Sequence, residues 1–552
     1  MVTARKSWLD NALDSRLTLR SSYEASNGFT QTLGGSNLAV PGLADPDAVI
    51  TGQYISGSTE TIRALGMFAN LDLDYKGRYI IGGLVRRDAA SLFGASQRWQ
   101  TYGRGSFAWR VSEEPWFKVA KISDLKLRAS EGTAGNRPTY SAQYETFSIG
   151  AGGALSPSSL GNKNLRLEVS REVELGMDLE VMNKYGLTIT HANNVINDQL
   201  LPVTPPAVAG FGNQWQNAGE LTNKTWEVSI NIPIVQKRDI GYSVRFNYDA
   251  TTSMITRLDM PETFYTANGQ QGSETMFKIK QGEEFGSIWG RRFVDSCTQL
   301  PAAFQSQCGS GQAFQRNSDG LIVYVGTGNT QQDGITKNLW YTRLPAASAP
   351  WGDKTGEPLS WGMPILWRDS TGAVPVRKLG HALPDFHWSF SQNFNYKKLT
   401  VYALLDATIG KSVWNEQRQW SLGDFQVAEA DQNGKTVADA KPLGYYFRAV
   451  STGGVGGLYD LLGPNNHTVE DASFVKLREL SIGYRIGKLK GVGGDWTVSV
   501  IGRNLKTWTD YTGYDPEVGL GGGSLGSGAL NAIDAFTFPN LRQVTFSIGT
   551  SF

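Results

Sequence analysis

The amino-acid sequence predicts an all-β protein, an antiparallel transmembrane β-barrel with long extracellular loops. Three observations lead there. Apolar and polar residues alternate with a period of two along much of the chain, the turns between alternating segments sort into very short and very long ones, and the composition favours strands and turns. Gly supplies 64 of 552 residues against a usual share of about 7 per cent, and charged residues are 19% against about 25 per cent. With 52 Lys and Arg against 51 Asp and Glu the formal charge is +1, too small a field to gather nucleic acid. Hydrophobic residues at 40%, with 16 Trp, exclude a disordered chain. No stretch approaches 18 consecutive apolar residues, which excludes spanning helices but not barrel strands of about ten residues.

Met1 to Asp10 carries charge without the apolar core of a secretory signal, so an exported protein with this start would have lost its leader. Leu71, Leu73 and Tyr75 then oppose Asp72 and Asp74. The cleanest alternation is 171–181, where Val173, Leu175, Met177, Leu179 and Val181 share one face and Glu172, Glu174, Asp178 and Glu180 the other, with Gly176. Trp226, Val228, Ile230, Ile232 and Ile234 oppose Thr225, Glu227, Ser229 and Asn231. Tyr242, Val244, Phe246 and Tyr248 repeat the pattern, as do Phe386, Trp388, Phe390, Phe394 and Tyr396. Such a pattern fits a soluble sandwich, with its apolar face inside, as well as a barrel with lipid outside and water within.

The connections separate the two. Lys76-Gly77, Lys184-Tyr185, Arg238-Asp239 and Lys397-Lys398 mark tight turns, whereas long connections are expected at 133–165, 257–384, 411–473 and 510–537. Short turns at one end and long loops at the other is the asymmetry of outer-membrane barrels. Roughly fifteen strands are expected, and ten residues at about 3.3 Å each, tilted near 45°, span about 23 Å, close to the apolar band of such a barrel.

Lys126 and Arg128 precede the acidic row of 172–180 by one long strand, which predicts cross-strand ion pairs. Between Val475/Leu477 and Leu480/Ile482/Tyr484/Ile486 the parity flips, which predicts a β-bulge near Arg478-Glu479. The end of the chain alternates too. Val544, Phe546, Ile548 and the terminal Phe552 share a face, a pattern by which the bacterial barrel-insertion machinery recognises its clients, so Phe546, Ile548 and Phe552 are the candidate insertion signal.

Several stretches resemble a known family. Arg86-Arg87-Asp88, Ser91-Leu92-Phe93-Gly94, Arg98-Trp99 and Trp109-Arg110-Val111-Ser112-Glu113-Glu114 are similar to the barrel of SusC/RagA-like TonB-dependent receptors. So are Leu125 to Asn136, Trp215-Gln216-Asn217-Ala218-Gly219, Phe474 to Leu480, Gly502-Arg503-Asn504-Leu505 and Tyr511 to Val518, in the family's order. The resemblance implies a Gram-negative outer-membrane importer of large nutrients, oligosaccharides or peptides. It also implies a 22-stranded barrel with an N-terminal plug, energised by the TonB complex and often closed by a SusD-like surface lipoprotein. On that basis residues 1–552 are expected to be the C-terminal part of the barrel, with its wall beginning at about Ser15–Ser22, embedded in outer-membrane lipid, without plug, leader or TonB-contacting segment. The alternatives are a passive porin-like or adhesive barrel and, less well matched to the loop asymmetry, a soluble glycan-binding protein.

Cys297 and Cys308, inside the longest loop, suggest a disulfide in an exported protein, worth about 2–3 kcal/mol. The four His are scattered, so neither metal nor other cofactor is expected. Asp431-Gln432-Asn433-Gly434 lacks the acid of a calcium loop and reads as an Asx turn, and Gly519–Gly528 reads as a flexible loop. No nucleophile, base and orienter share a spacing, so no enzyme activity is expected. Trp289, Trp340, Trp351, Trp361 and Trp367 crowd the longest loop, where they either stack on a ligand or form a private core.

Overall fold

A computed structural model describes residues 1–40, 43, 45–149, 153–267, 274–326, 362, 364–424, 426–435, 441, 443–446, 458, 463–488, 491, 493–517, 519 and 531–551. The chain divides into two units, the first formed by Met1–Val228 with Ile255–Pro261 and the second by Ser229–Met254 with Glu262–Phe552.

The first unit holds β1 (Val2–Trp8), β2 (Leu13–Leu38), β3 (Val49–Tyr75), β4 (Tyr79–Ala90), β5 (Trp99–Arg110), β6 (Ile122–Asn136), β7 (Thr146–Ile149), β8 (Leu155–Leu160), β9 (Glu168–Val181) and β10 (Tyr185–Val203). It also takes most of β11 (Asn213–Gln236) and the end of β12 (Ile240–Leu258). Antiparallel pairing runs β1, β2, β3, β4, β5, β6, β9, β10. The wall starts earlier than the sequence suggests, because Val2↔Leu19 through Trp8↔Leu13 are paired. Lys6 on the apolar face hides the alternation of β1; its ammonium lies 3.8 Å from the Trp8 ring centroid, a lysine reaching along an apolar stem toward a polar edge.

The second unit continues with β13 (Thr263–Ala267), β14 (Glu274–Ile279), β15 (Ser287–Gly290), β16 (Phe314–Arg316), β17 (Ile322–Tyr324), β18 (Arg377–His381), β19 (Phe386–Tyr396) and β20 (Leu399–Ile409). It ends with β21 (Ser412–Trp414), β22 (Val469–Asp471), β23 (Phe474–Lys488), β24 (Asp495–Thr509) and β25 (Gln543–Ser551). Its wall pairs antiparallel in the order β12, β19, β20, β23, β24, β25. Among the described residues, fifteen strands of seven residues or more make up the walls of the two units, the number the alternation suggests.

The predicted bulge is present: on both flanks of β23 the register steps from Leu477 to Glu479 and leaves Arg478 out of the ladder. The step puts Val475, Leu477, Leu480, Ile482 and Tyr484 on one face, opposite Ala407, Leu405, Ala403, Val401 and Leu399. The connections sort by length within each unit. Short turns close β3/β4, β9/β10 and β19/β20, whereas 137–167, 259–385 and 410–473 lie at the other end.

The wall faces are inverted relative to a soluble protein. Ile81, Phe107, Leu175, Ile482, Val500 and Phe546 are exposed, Leu175 at 55% and Phe546 at 77%, and the register places such residues side by side. The opposite face is charged and paired. Lys126 meets Asp178 at 3.2 Å, and Arg128 meets Glu174 at 3.0 Å and Asp178 at 3.2 Å. Among the described residues, two large buried apolar clusters lie in the long connections of the second unit.

Candidate functional site

The described residues of 262–385, 410–473 and 510–542 in the second unit fold together into one layer. β13, β14, β15 and β18 form a four-stranded sheet, and β16 pairs with β17. Every residue of β15 is buried, so this segment shows no alternation in sequence. Phe293, Leu321, Val323, Val325, Leu366, Leu422, Tyr445, Tyr446 and Leu458 form one core, drawn from the two connections that flank β19 and β20. A second core of Val294, Leu300, Ala313, Phe314, Ile322 and Ile365 packs against Cys297 and Cys308, which are joined in a disulfide with Cα atoms 5.7 Å apart.

Polar contacts lock the connections to each other. The Phe293 amide donates to Asn466 Oδ1 at 2.7 Å, and the Trp414 amide to the Ala532 carbonyl at 2.8 Å. Asn317 Nδ2 donates to the Tyr445 hydroxyl at 2.7 Å, and Lys441 Nζ lies 3.1 Å from Asp319. Burial raises the Tyr445 hydroxyl far above its ordinary range, with the Asp319 charge adding to it, and burial pushes Tyr446 up to about 12.

Two charged clusters anchor the layer. Arg418 bridges Glu429 at 2.7 Å and Glu470 at 3.0 Å, and His467 Nε2 sits 3.4 Å from Glu429. Burial pushes Glu429 up, but the His467 hydrogen bond and the Arg418 charge outweigh it and hold the carboxyl at about 2. In the other cluster Lys476 meets Asp515 at 2.6 Å and Glu517 at 2.8 Å, while the bulged Arg478 meets Asp406 at 2.7 Å and Glu517 at 2.6 Å. Glu517 is likewise about 2: burial raises it, and Arg478 and Lys476 more than reverse the effect. These carboxylates are held by cations rather than poised to exchange protons, so the layer is built to keep a shape.

Of the loop tryptophans, Trp289 is 8% exposed with Lys278 and Lys280 ammonium groups 4.9 Å and 5.5 Å from its ring centroid. Trp367 packs on the disulfide core under the Arg377 guanidinium, 3.4 Å from its centroid. Trp340, Trp351, Trp361 and Phe552 lie outside the described residues, as does nearly all of the glycine loop 519–528. Phe546 and Ile548 lie on β25, every residue of which is exposed. The Asx turn forms, with the Asn433 amide donating to Asp431 Oδ1 at 2.9 Å. The Arg418, Glu429, Glu470 and His467 cluster was not legible in the sequence, since its members are up to 52 residues apart and carry no spacing signal.

An antiparallel wall with an exposed apolar face, a paired polar face and long connections folded at one end defines an outer-membrane β-barrel receptor. Residues 3–296 match the family model described as TonB dependent receptor-like, beta-barrel, and the chain belongs to that family. TonB-dependent receptor P3 of Formosa agariphila is 25% identical over 526 residues, 91% of this chain and 47% of its own length. TonB-dependent receptor P39 of the same organism is 24% identical, over 90% of this chain and 47% of its own length. The chain thus spans about half the length of the curated relatives it matches. Among solved structures, the RagAB peptide transporter superposes with a TM-score of 0.71 at 18% identity, covering 100% of this chain and 54% of its own. Its closed-closed state gives 0.70 at 19%, covering 100% and 55%. The fold agrees with the SusC/RagA type to which the sequence motifs point, and the family places the chain in the outer membrane of a Gram-negative bacterium.

Proposed function

We propose that this chain forms membrane wall and outer binding layer of a TonB-dependent importer of large nutrients, of the oligosaccharide or peptide class. The observation that carries the reading is the folded layer over the second unit's wall: long connections joined by shared cores and two ion-pair clusters, with a disulfide inside the longest. A rigid layer of this kind presents ligand contacts at a low ordering cost. Membership in the receptor family supports energised import, and the likeness to RagAB, a peptide transporter by name, supports the peptide class.

In this reading the long connections face outward, and the turns near Lys76, Lys184, Arg238 and Lys397 face the periplasm. The partners are the TonB complex and a SusD-like lipoprotein. Because Trp289 and Trp367 are partnered inside the layer, ligand stacking falls to Trp340, Trp351 and Trp361. The test is uptake of labelled oligosaccharides and peptides by cells carrying the whole receptor, with and without a working TonB system. Accumulation against a gradient that stops without TonB is the expected result. Equilibration that ignores TonB would contradict it and favour the passive barrel.

A further inference from the structure

The two ends of the wall strands carry opposite charge. The connections at the end with the tight turns, 9–12, 76–78, 111–121, 182–184, 237–239, 397–398 and 489–494, hold ten Lys and Arg and four Asp and Glu. Those at the opposite end, 39–48, 91–98, 137–167, 204–212, 259–385, 410–473 and 510–542, hold 21 and 27. In a chain with a formal charge of +1 the short-turn end thus has a net charge of 10 − 4 = +6 and the opposite end 21 − 27 = −6.

A repeated arrangement places part of that charge. In the first unit the Lys76 ammonium stands 5.2 Å from the Tyr75 ring centroid, and that of Lys184 4.9 Å from the Tyr185 centroid. In the second, the Lys397 ammonium stands 5.3 Å from the Tyr396 centroid. Tyr75 and Tyr396 are exposed and sit at strand ends, next to the apolar face, where amphipathic rings mark a membrane boundary. Lys76 and Lys397 themselves have φ of +57° and +52°, a left-handed conformation that Gly or Asn adopts more easily. A strained backbone position given to a cation rather than to Gly or Asn points to a use for the charge.

The geometry points to a binding site for the phosphate of anionic phospholipid headgroups at the short-turn rim, formed in each unit by a lysine over a tyrosine at a strand end. The ring fixes the lysine stem at the depth of the headgroups, and the ammonium, a compact phosphate-binding charge, reaches the lipid phosphate. Attraction to an anionic surface amounts to about a fivefold preference per lysine. The inference rests on the membrane reading above, and the experiment keeps the two apart.

The protein is extracted from outer membranes in native nanodiscs and its lipids are quantified against the bulk membrane. Anionic phospholipid should be enriched several-fold around the native protein. The combined variant Lys76→Gln, Lys184→Gln and Lys397→Gln should fall to the bulk ratio, while the matching Arg variant keeps the enrichment. A control at the opposite end, Arg98→Gln, Lys163→Gln and Arg542→Gln, should keep it as well. In zwitterionic discs, inorganic phosphate should show no saturable binding; saturable binding would assign the site to free phosphate and overturn the proposal. Enrichment that survives the triple Gln variant, or that the control loses equally, would also overturn it. A chain recovered outside the membrane fraction would instead sink the membrane reading, and the lipid site with it.

Discussion

The guanidinium of Arg128 occupies the place where a side chain at Gly176 would stand: a Cβ there would lie 2.6 Å from Arg128 Nη2. Gly176 is the strand partner of Arg128, and the missing side chain lets the guanidinium lie flat and reach Glu174 and Asp178 on either side, and the Thr190 hydroxyl at 3.2 Å. Charges on a water-facing wall are kept here by a vacancy in the opposing strand.

Gly176→Ala should therefore push aside the Arg128 guanidinium, the far end of a flexible side chain, and loosen its part-exposed ion pairs, lowering stability by no more than about 1 kcal/mol. Gly83→Ala is the control, because nothing lies within 4 Å of its added Cβ. Denaturant midpoints of the two variants compare them directly, and equal midpoints would contradict the packing argument.

The neighbours of Gly176 separate the two faces. Leu175 is 55% exposed on the apolar face, so Leu175→Arg should cost about 2–4 kcal/mol in a bilayer. Glu174→Gln, on the wet face, removes one partly exposed ion pair and should cost less than about 1 kcal/mol. Folding in lipid vesicles measures both, and equal tolerance would undo the assignment of faces.

The bulge at Arg478 offers a third prediction. Arg478→Ala leaves the strand its apolar row but takes from Glu517 the cation 2.6 Å away, leaving only Lys476. The connection 510–542 should then be cut faster by protease while the wall stays intact. Unchanged cleavage would show that the ion pairs do not hold the connection.

Acid should loosen the outer layer through Glu429. Its folded value of about 2 lies below the ordinary 4.5, so it stabilises fully above about pH 4.5, and the contribution is lost as pH falls toward 2. Pepsin cleavage of the layer should rise over that window, and Glu429→Gln should flatten the rise. Identical profiles would place the acid sensitivity elsewhere.

What the sequence revealed follows from where each element is buried. β9 and the bulge of β23 were legible because one face meets lipid and the other water, so polarity reports the face residue by residue. β15 was not legible, being buried on all sides, and neither was the core that joins Phe293 and Val323 to Tyr445, which exists only after distant connections meet. β1 was missed because one lysine sits on its apolar face, over Trp8. The crowd of tryptophans in 289–367 gave no means of telling a ligand platform from a private core; in the structure Trp289 and Trp367 belong to the latter.

The central claim, that this wall turns its apolar face to lipid and its charged face to water, is tested most directly by single cysteines placed along 173–180. Both native cysteines are joined in the disulfide, so an introduced thiol reports alone. In outer membranes, cysteines at Glu174, Asp178 and Glu180 should react with a water-soluble maleimide, and those at Val173, Leu175, Met177 and Leu179 should not. Reactivity that fails to alternate, or alternates with the opposite phase, would contradict the account.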